Sequence, residues 1–286
     1  MLAQTIANGL VTGCLYVMMA IGFSIIKTSM NLFNMSHGSM VLTGAYGAYI
    51  FGGLLHLGWI GAILGGTIFG CLVHLLVAQT IYFPIQRRGS RMWIVGYAGF
   101  GVAILIQSAI GMIFGTQPVD VIPGYVSGVY SLGAVRITTA DVTTAAVAVS
   151  AVALYTLFLR KTRFGLATRA AVVDREMAGI VGVRTSMVQT VVFVVGAGMA
   201  ALAGALMTME GALQYTMGGP ALLKAIVASI LGISWGVPGA VIGGLVLGVM
   251  ENLVVSFTNA GWRDGISLVI LLAFIWSTAI YRYITR

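Results

Sequence analysis

The chain has 286 residues, of which 59% are apolar and 8% charged, and its formal net charge is +8. A soluble domain carries about 25% charged residues, so this chain has too few solvating groups to coat a water-facing globule. Its 39 glycines follow no fixed period, which excludes a collagen-like or low-complexity chain and fits close helix–helix approach in lipid.

No Asp, Glu, Lys or Arg occurs in 1–26, 28–86, 92–119, 185–209, 225–250 or 265–281. A bilayer span needs about 20 mostly apolar residues, so each window holds a span or nearly one, and 28–86 holds two with a tight turn. Backbone groups in lipid must be satisfied within the element, so helices are expected. The apolar runs are continuous and lack the alternation of barrel strands. The expected fold is an all-α integral membrane protein, a single domain over 1–286, with eight or nine transmembrane helices.

The first span, 2–26, has no basic segment before it, so it reads as retained rather than as a cleaved leader. Cys14 here and Cys71 in the third span have no metal or pairing partner in sequence and read as buried thiols. The second span, 38–56, follows the polar stretch Asn34-Met-Ser36-His37-Gly38. Two readings are open: Asn34 and His37 cap a helix start, or Asn34, Ser36, His37 and Gly38 line a substrate pathway, since polar groups at membrane depth usually face the bundle interior. His56 reads as interfacial, and His74, within the third span 59–83, as packed.

Arg87, Arg88 and Arg91 follow the third span. The fourth, 93–115, leads to a loop, 116–136, carrying only Asp120 and Arg136. The fifth, 137–159, has Asp141 near its start and runs into Arg160, Lys161, Arg163, Arg169, Arg175 and Arg184. The positive-inside rule puts 84–91 and 160–187 in the cytoplasm and the N-terminus outside, in the periplasm.

After the sixth span, 188–209, comes Glu210, read as an interface-level carboxylate near Lys224. If 225–250 were one span, the last helix, 265–281, would end outside with Arg282 and Arg286, against the rule. Gly232-Ile-Ser-Trp-Gly-Val-Pro-Gly239 interrupts the run, so 217–234 and 236–250 are expected as two short or re-entrant helices. Glu251, just beyond, is expected to pair with an arginine. Small residues four apart, as in Gly61/Gly65, Gly66/Gly70, Gly239/Gly243 and Gly244/Gly248, point to ordinary helix packing.

Segment 160–187 has six basic side chains against Asp174 and Glu176, a local excess that is half the chain's net charge. Anchoring to anionic headgroups would need only a run of Lys and Arg. From Thr168 to Gly182 the sequence instead suits one short amphipathic helix, with Ala171, Val172, Met177, Ala178 and Val181 as its apolar set and Gly182 to end it. Such a helix suits a protein groove.

Three stretches in order resemble permeases of the branched-chain amino acid ABC transporter family. They are Gly22 to Tyr46 around Asn34-Met-Ser-His37-Gly38, Arg163-Phe-Gly165 through Arg169, Asp174-Arg-Glu-Met-Ala178 and Gly182-Val183, and Leu223-Lys-Ala225 through Pro238-Gly239-Ala240 to Glu251. The family usually has Ala where Ser36 stands and an acidic residue where Ser39 stands, which leaves the cargo more open than the family. The resemblance implies a bacterial inner-membrane permease subunit without a catalytic site, metal or cofactor. It implies two cytoplasmic ATPases, a second permease of different sequence and a periplasmic binding protein as partners, with no nucleic acid. It also implies that Arg163, Arg169, Asp174, Arg175, Glu176, Met177 and Gly182 form the ATPase-coupling segment. The usual cargo is leucine, isoleucine and valine; similar permeases carry urea or short amides.

The sequence has no GxxxxGK[ST] loop, so ATP must be bound elsewhere. A secondary transporter driven by an ion gradient is the competing reading, but it would normally need carboxylates deep in spans. An intramembrane enzyme would need a nucleophile–base pair or metal ligands, and three scattered histidines without HExxH supply neither.

Overall fold

The structure, a computed structural model, describes residues 2–119, 128–132, 135–211, 213–232 and 236–284. Helix α1 is Leu2–Met30. Helix α2, His37–Ala48, continues as the π-helical turn Tyr49–Leu54. Helix α3 is Gly58–Arg87 and α4 is Met92–Phe114. A short antiparallel hairpin, β1 Val129–Leu132 and β2 Val135–Thr138, precedes α5, Thr139–Lys161. Two short helices follow, α6 Arg163–Val173 and α7 Arg175–Ile180. The remainder is α8 Thr185–Met207, α9 Gly218–Leu231, α10 Gly236–Phe257 and α11 Arg263–Ile284.

Among the described residues, α1, α3, α4, α5, α8 and α10 are long and apolar enough to cross a membrane. Their burial sorts them into layers. The apolar windows of α1 and α8 are 72% and 61% buried, against 28%, 22% and 17% for α3, α4 and α5. Thus α1 and α8 form the centre, and the other three present Leu64, Leu72, Leu76, Leu105 and Leu154 outward, as lipid-facing helices do.

Lipid supplies no hydrophobic drive between helices, so close backbone approach must hold the centre together. On α10, a Cβ at Gly244 would fall 2.6 Å from the Val17 nitrogen of α1, and one at Gly248 would strike the Gly13 backbone. Gly66 and Gly70 of α3 meet α2 and α8 in the same way. The recurring small residues therefore serve helix packing.

The expected break in 217–250 separates α9 from α10; residues 233–235 lie outside the described ones. The second helix does not stop at 250, as the sequence suggested, but runs to Phe257. It can carry Glu251 because that side chain is fully buried against protein groups that bond to it. The fifth span starts later than 137, because Val135–Thr138 pairs as a strand. Thr138 then caps α5: its Oγ1 accepts from the Asp141 amide at 3.2 Å, while Asp141 Oδ2 accepts from the Thr138 amide at 2.7 Å. Asp120 lies outside the described residues.

Candidate coupling and translocation sites

The charged segment departs from the single helix expected over Thr168–Gly182. It forms α6 and α7, broken at Asp174, whose backbone is extended at φ −152° and ψ 112°. Side chains set this geometry. Thr162 Oγ1 accepts from the Gly165 amide at 2.9 Å and starts α6 directly after α5. Asp174 Oδ1 accepts from the Met177 amide at 2.9 Å and starts α7. Asp174 is thus a helix cap, and its position corrects the reading of one continuous helix. Gly182, at φ +90°, ends the unit while the Val183 amide donates back to the Ala178 carbonyl at 2.9 Å.

The apolar set splits by size. Ala171 and Ala178 pack inward, whereas Val172, Met177 and Val181 are exposed. Arg163, Arg169 and Glu176 are exposed as well, and no ion pair engages them among the described residues. The Arg175 side chain lies outside the described ones. The two helices and the turn after them therefore expose large apolar side chains and both signs of charge.

The 34–38 stretch is packed inside the bundle. Asn34 Oδ1 accepts from the Ser36 amide at 3.1 Å and from Ser36 Oγ at 2.9 Å, and Tyr82 of α3 joins through its hydroxyl. His37 is fully buried, with Nε2 3.0 Å from the Met19 carbonyl of α1 and its ring edge-on to Phe23. A Cβ at Gly38 would strike the Gly218 carbonyl at the start of α9. None of the four residues lines the large cavity described next. His56 is exposed in the turn after α2 at φ +52°, and His74 is buried.

That cavity, of about 990 Å³, opens where α1, α5 and α8 to α11 meet. Its polar lining includes Asn8, Asp141, Glu210, Lys224, Arg263 and Asp264, and its apolar lining includes Leu15, Met19, Met209, Leu213 and Met217. Glu251 anchors the wall. It accepts from the Tyr16 hydroxyl at 2.8 Å, and its Oε1 lies 3.0 Å from Arg263 Nε and 3.3 Å from Lys224 Nζ. Lys224 also reaches Asp264 at 3.2 Å and sits 5.4 Å from the centre of the Tyr16 ring. The pairing foreseen for Glu251 is present, with Lys224 as an additional partner. Glu210 opens on the same cavity. Glu210 is itself exposed, but the protein around its carboxyl and the neighbouring Asp141 carboxylate raise its pKa to about 7, against the pull of Arg263 and Thr144. Tyr16, Arg263 and Asp264 drew no functional reading from the sequence; the available signal was that charges at several span ends fall at one level of the bundle.

The cavity and the two short helices lie at opposite ends. Helix α5 carries Asp141 in its first turn and Lys161 in its last, and its 23 residues span about 34 Å at helical rise. A helical bundle with a charged cavity at one end and an exposed surface of apolar and charged side chains at the other has the layout of a membrane permease.

The comparisons with known proteins carry this further. The chain belongs to the family of branched-chain amino acid transport system permease components, whose model matches residues 5–275. The high-affinity branched-chain amino acid permease LivH of Salmonella typhimurium is 30% identical over 287 aligned positions, covering 94% of this chain and 91% of that one. BraD of Pseudomonas aeruginosa, named for the same transport system, is 27% identical with the same coverage. The autoinducer 2 import permease LsrC of Salmonella choleraesuis matches 42% of the chain and 37% of its own length, at 35% identity. Among solved structures, PsaBC from Streptococcus pneumoniae in complex with Fab aligns with a TM-score of 0.53 at 12% identity, over 93% of this chain and 88% of that one, a likeness of fold alone. The chain is thus a multi-pass inner-membrane subunit of an ABC transporter, and ATP hydrolysis falls to other subunits.

Proposed function

We propose that this permease forms part of the translocation pathway of an importer for small amino acids, branched-chain ones foremost. A periplasmic binding protein delivers the cargo, and two cytoplasmic ATPases with a second, different permease complete the complex. The observation that carries this reading is the placement of the charged cavity and the α6–α7 surface at opposite ends of one bundle. ATP-driven closure of the ATPases has to reach the spans through a rigid contact, and two capped helices with exposed Met177, Arg169 and Glu176 suit that contact.

In this reading 84–91 and 160–187 are cytoplasmic, and the N-terminus and cavity are periplasmic. Helix α9 descends from the cavity level, α10 returns to it and α11 descends again, giving nine membrane-embedded helices. The end of α11 then falls on the cytoplasmic side, which removes the conflict with the positive-inside rule. The route passes from the cavity along α1 to the 34–38 segment, sealed in this conformation where His37 meets the Met19 carbonyl.

Reconstitution tests the reading. With both permeases, the ATPases and a loaded binding protein in proteoliposomes, amino-acid uptake requires ATP. Uptake by the chain alone on a proton or sodium gradient would instead establish the secondary-transporter alternative.

A further inference from the structure

Among the charges that line the cavity, Lys224 and Asp264 are paired and others are not. Glu251 is engaged by Tyr16, Lys224 and Arg263, and Asp264 is held by Lys224. That leaves the carboxylates of Glu210 and Asp141, which line the same cavity and act on each other electrostatically. Asp141 uses Oδ2 for its cap, and no ion pair engages either carboxylate among the described residues. Arg263 and Arg136 line the same cavity; Arg263 is tied to Glu251 through Nε while its side chain remains 44% exposed. Arg263 acts electrostatically on Glu210 yet forms no ion pair with it among the described residues. The cavity they line has a volume at the upper end of small-molecule sites, roughly 300 to 1,000 Å³. Its remaining wall is aliphatic and methionine-rich, and methionine adapts its shape to a branched apolar group.

Resting on the permease reading above, we propose that this cavity is a binding station for a free zwitterionic amino acid with an aliphatic side chain. The ligand's ammonium sits between Asp141 and Glu210, its carboxylate on the terminal nitrogens of Arg263, and its side chain against Leu15, Met19, Met209 and Met217. Each half of the zwitterion answers a defect in the empty site. An ammonium relieves the repulsion between two neighbouring carboxylates, and a carboxylate completes a guanidinium engaged through one nitrogen. A ligand with only one of the two charges leaves the opposing group unmatched. The cavity therefore discriminates by charge pattern, independently of the selection made by a soluble binding protein.

The test uses the assembled membrane complex, both permeases with their ATPases, in nanodiscs without the binding protein. Tritiated leucine is the probe, read by scintillation proximity. Unlabelled leucine should displace it, while 3-methylbutylamine and 4-methylpentanoate, which each keep one charge, should compete at least about tenfold less well. Glu210→Gln and Arg263→Gln should each weaken leucine binding about tenfold or more, and Glu210→Asp should recover it to within about threefold. Equal competition by either single-charge analogue overturns the proposal without needing a variant. So does wild-type affinity in both Glu210→Gln and Arg263→Gln, or binding of acetamide or urea in place of leucine. In all three cases ATP-driven uptake in the proteoliposome assay would still support the permease reading; loss of that uptake with every partner present would remove the permease reading itself.

Discussion

Glu251 and Arg263 are joined across the α10–α11 turn, with Arg263 Nε 3.0 Å from Glu251 Oε1, and the carboxylate is fully buried. Its other contacts, Lys224 and the Tyr16 hydroxyl, make this one acid the meeting point of α1, α9, α10 and α11. A buried charge of this kind adds little over an apolar replacement, but removing one partner leaves the rest uncompensated. Glu251→Ala should therefore destabilise the protein by about 3 kcal/mol, read as a lower melting temperature of the purified complex. Tyr16→Phe removes one bond to a charged acceptor and should cost about 1.5 to 3 kcal/mol. A melting temperature unchanged in both variants would show that the cluster does not hold these helices together.

Close packing makes a second prediction that depends on position alone. Gly248→Val places a side chain where the Gly13 backbone already stands, so α1 and α10 must separate. Expression should fall, and the remaining protein should melt earlier or elute as aggregate. Gly101, on the outward part of α4, has nothing within 4 Å of an added Cβ. Gly101→Ala should leave melting unchanged or raise it, since alanine is the better helix former by about 1 kcal/mol.

The caps of α6 and α7 separate shape from charge. Asp174→Ala removes the acceptor for the Met177 amide and should cost α7 about 1 kcal/mol, whereas Asp174→Asn retains a capping oxygen. ATP-driven uptake should drop in the alanine variant and persist in the asparagine variant. The surface charges act differently. Arg169→Glu and Glu176→Arg should still insert in the membrane but hydrolyse ATP without matching uptake. Unchanged uptake and unchanged ATPase association in both would end the coupling assignment.

Glu210 gives a pH dependence whose sign follows from its raised pKa. Its carboxyl is raised to about 7 in the folded chain against an ordinary 4.5, because the protein around it and the Asp141 charge disfavour the carboxylate. The folded form holds the proton more tightly, so this group's contribution to stability is complete below 4.5 and is lost as pH rises through about 7. The titratable and charged groups that share its cavity or act on it are Arg136 from β2, Asp141 from α5, Cys14 and Tyr16 from α1, Lys224 from α9, and Arg263 and Asp264 from α11. Leucine binding to the nanodisc complex should strengthen from pH 6 to pH 8 as the carboxylate forms. Glu210→Gln should flatten that rise, and an unaltered profile would assign the titration to another of these groups.

Residue order alone determined that this chain lies in a membrane as helices. The reason is local: charge-free windows have few other ways to satisfy their backbones in lipid. The same locality made the break before Pro238, the stop at Gly182 and the pairing stretch around Gly244 and Gly248 legible. The tertiary structure decided what depends on distant segments meeting. Asp174 looked like a surface charge in a continuous helix until its backbone turned and its oxygen took the Met177 amide. His37 had two readings in sequence, and contact with α1 buried it against the Met19 carbonyl, outside the cavity. The cavity itself has no sequence signature. Asp141, Glu210, Lys224, Glu251 and Arg263 are spread over five segments, and only the packing of those segments around α1 brings their charges to one end of the bundle.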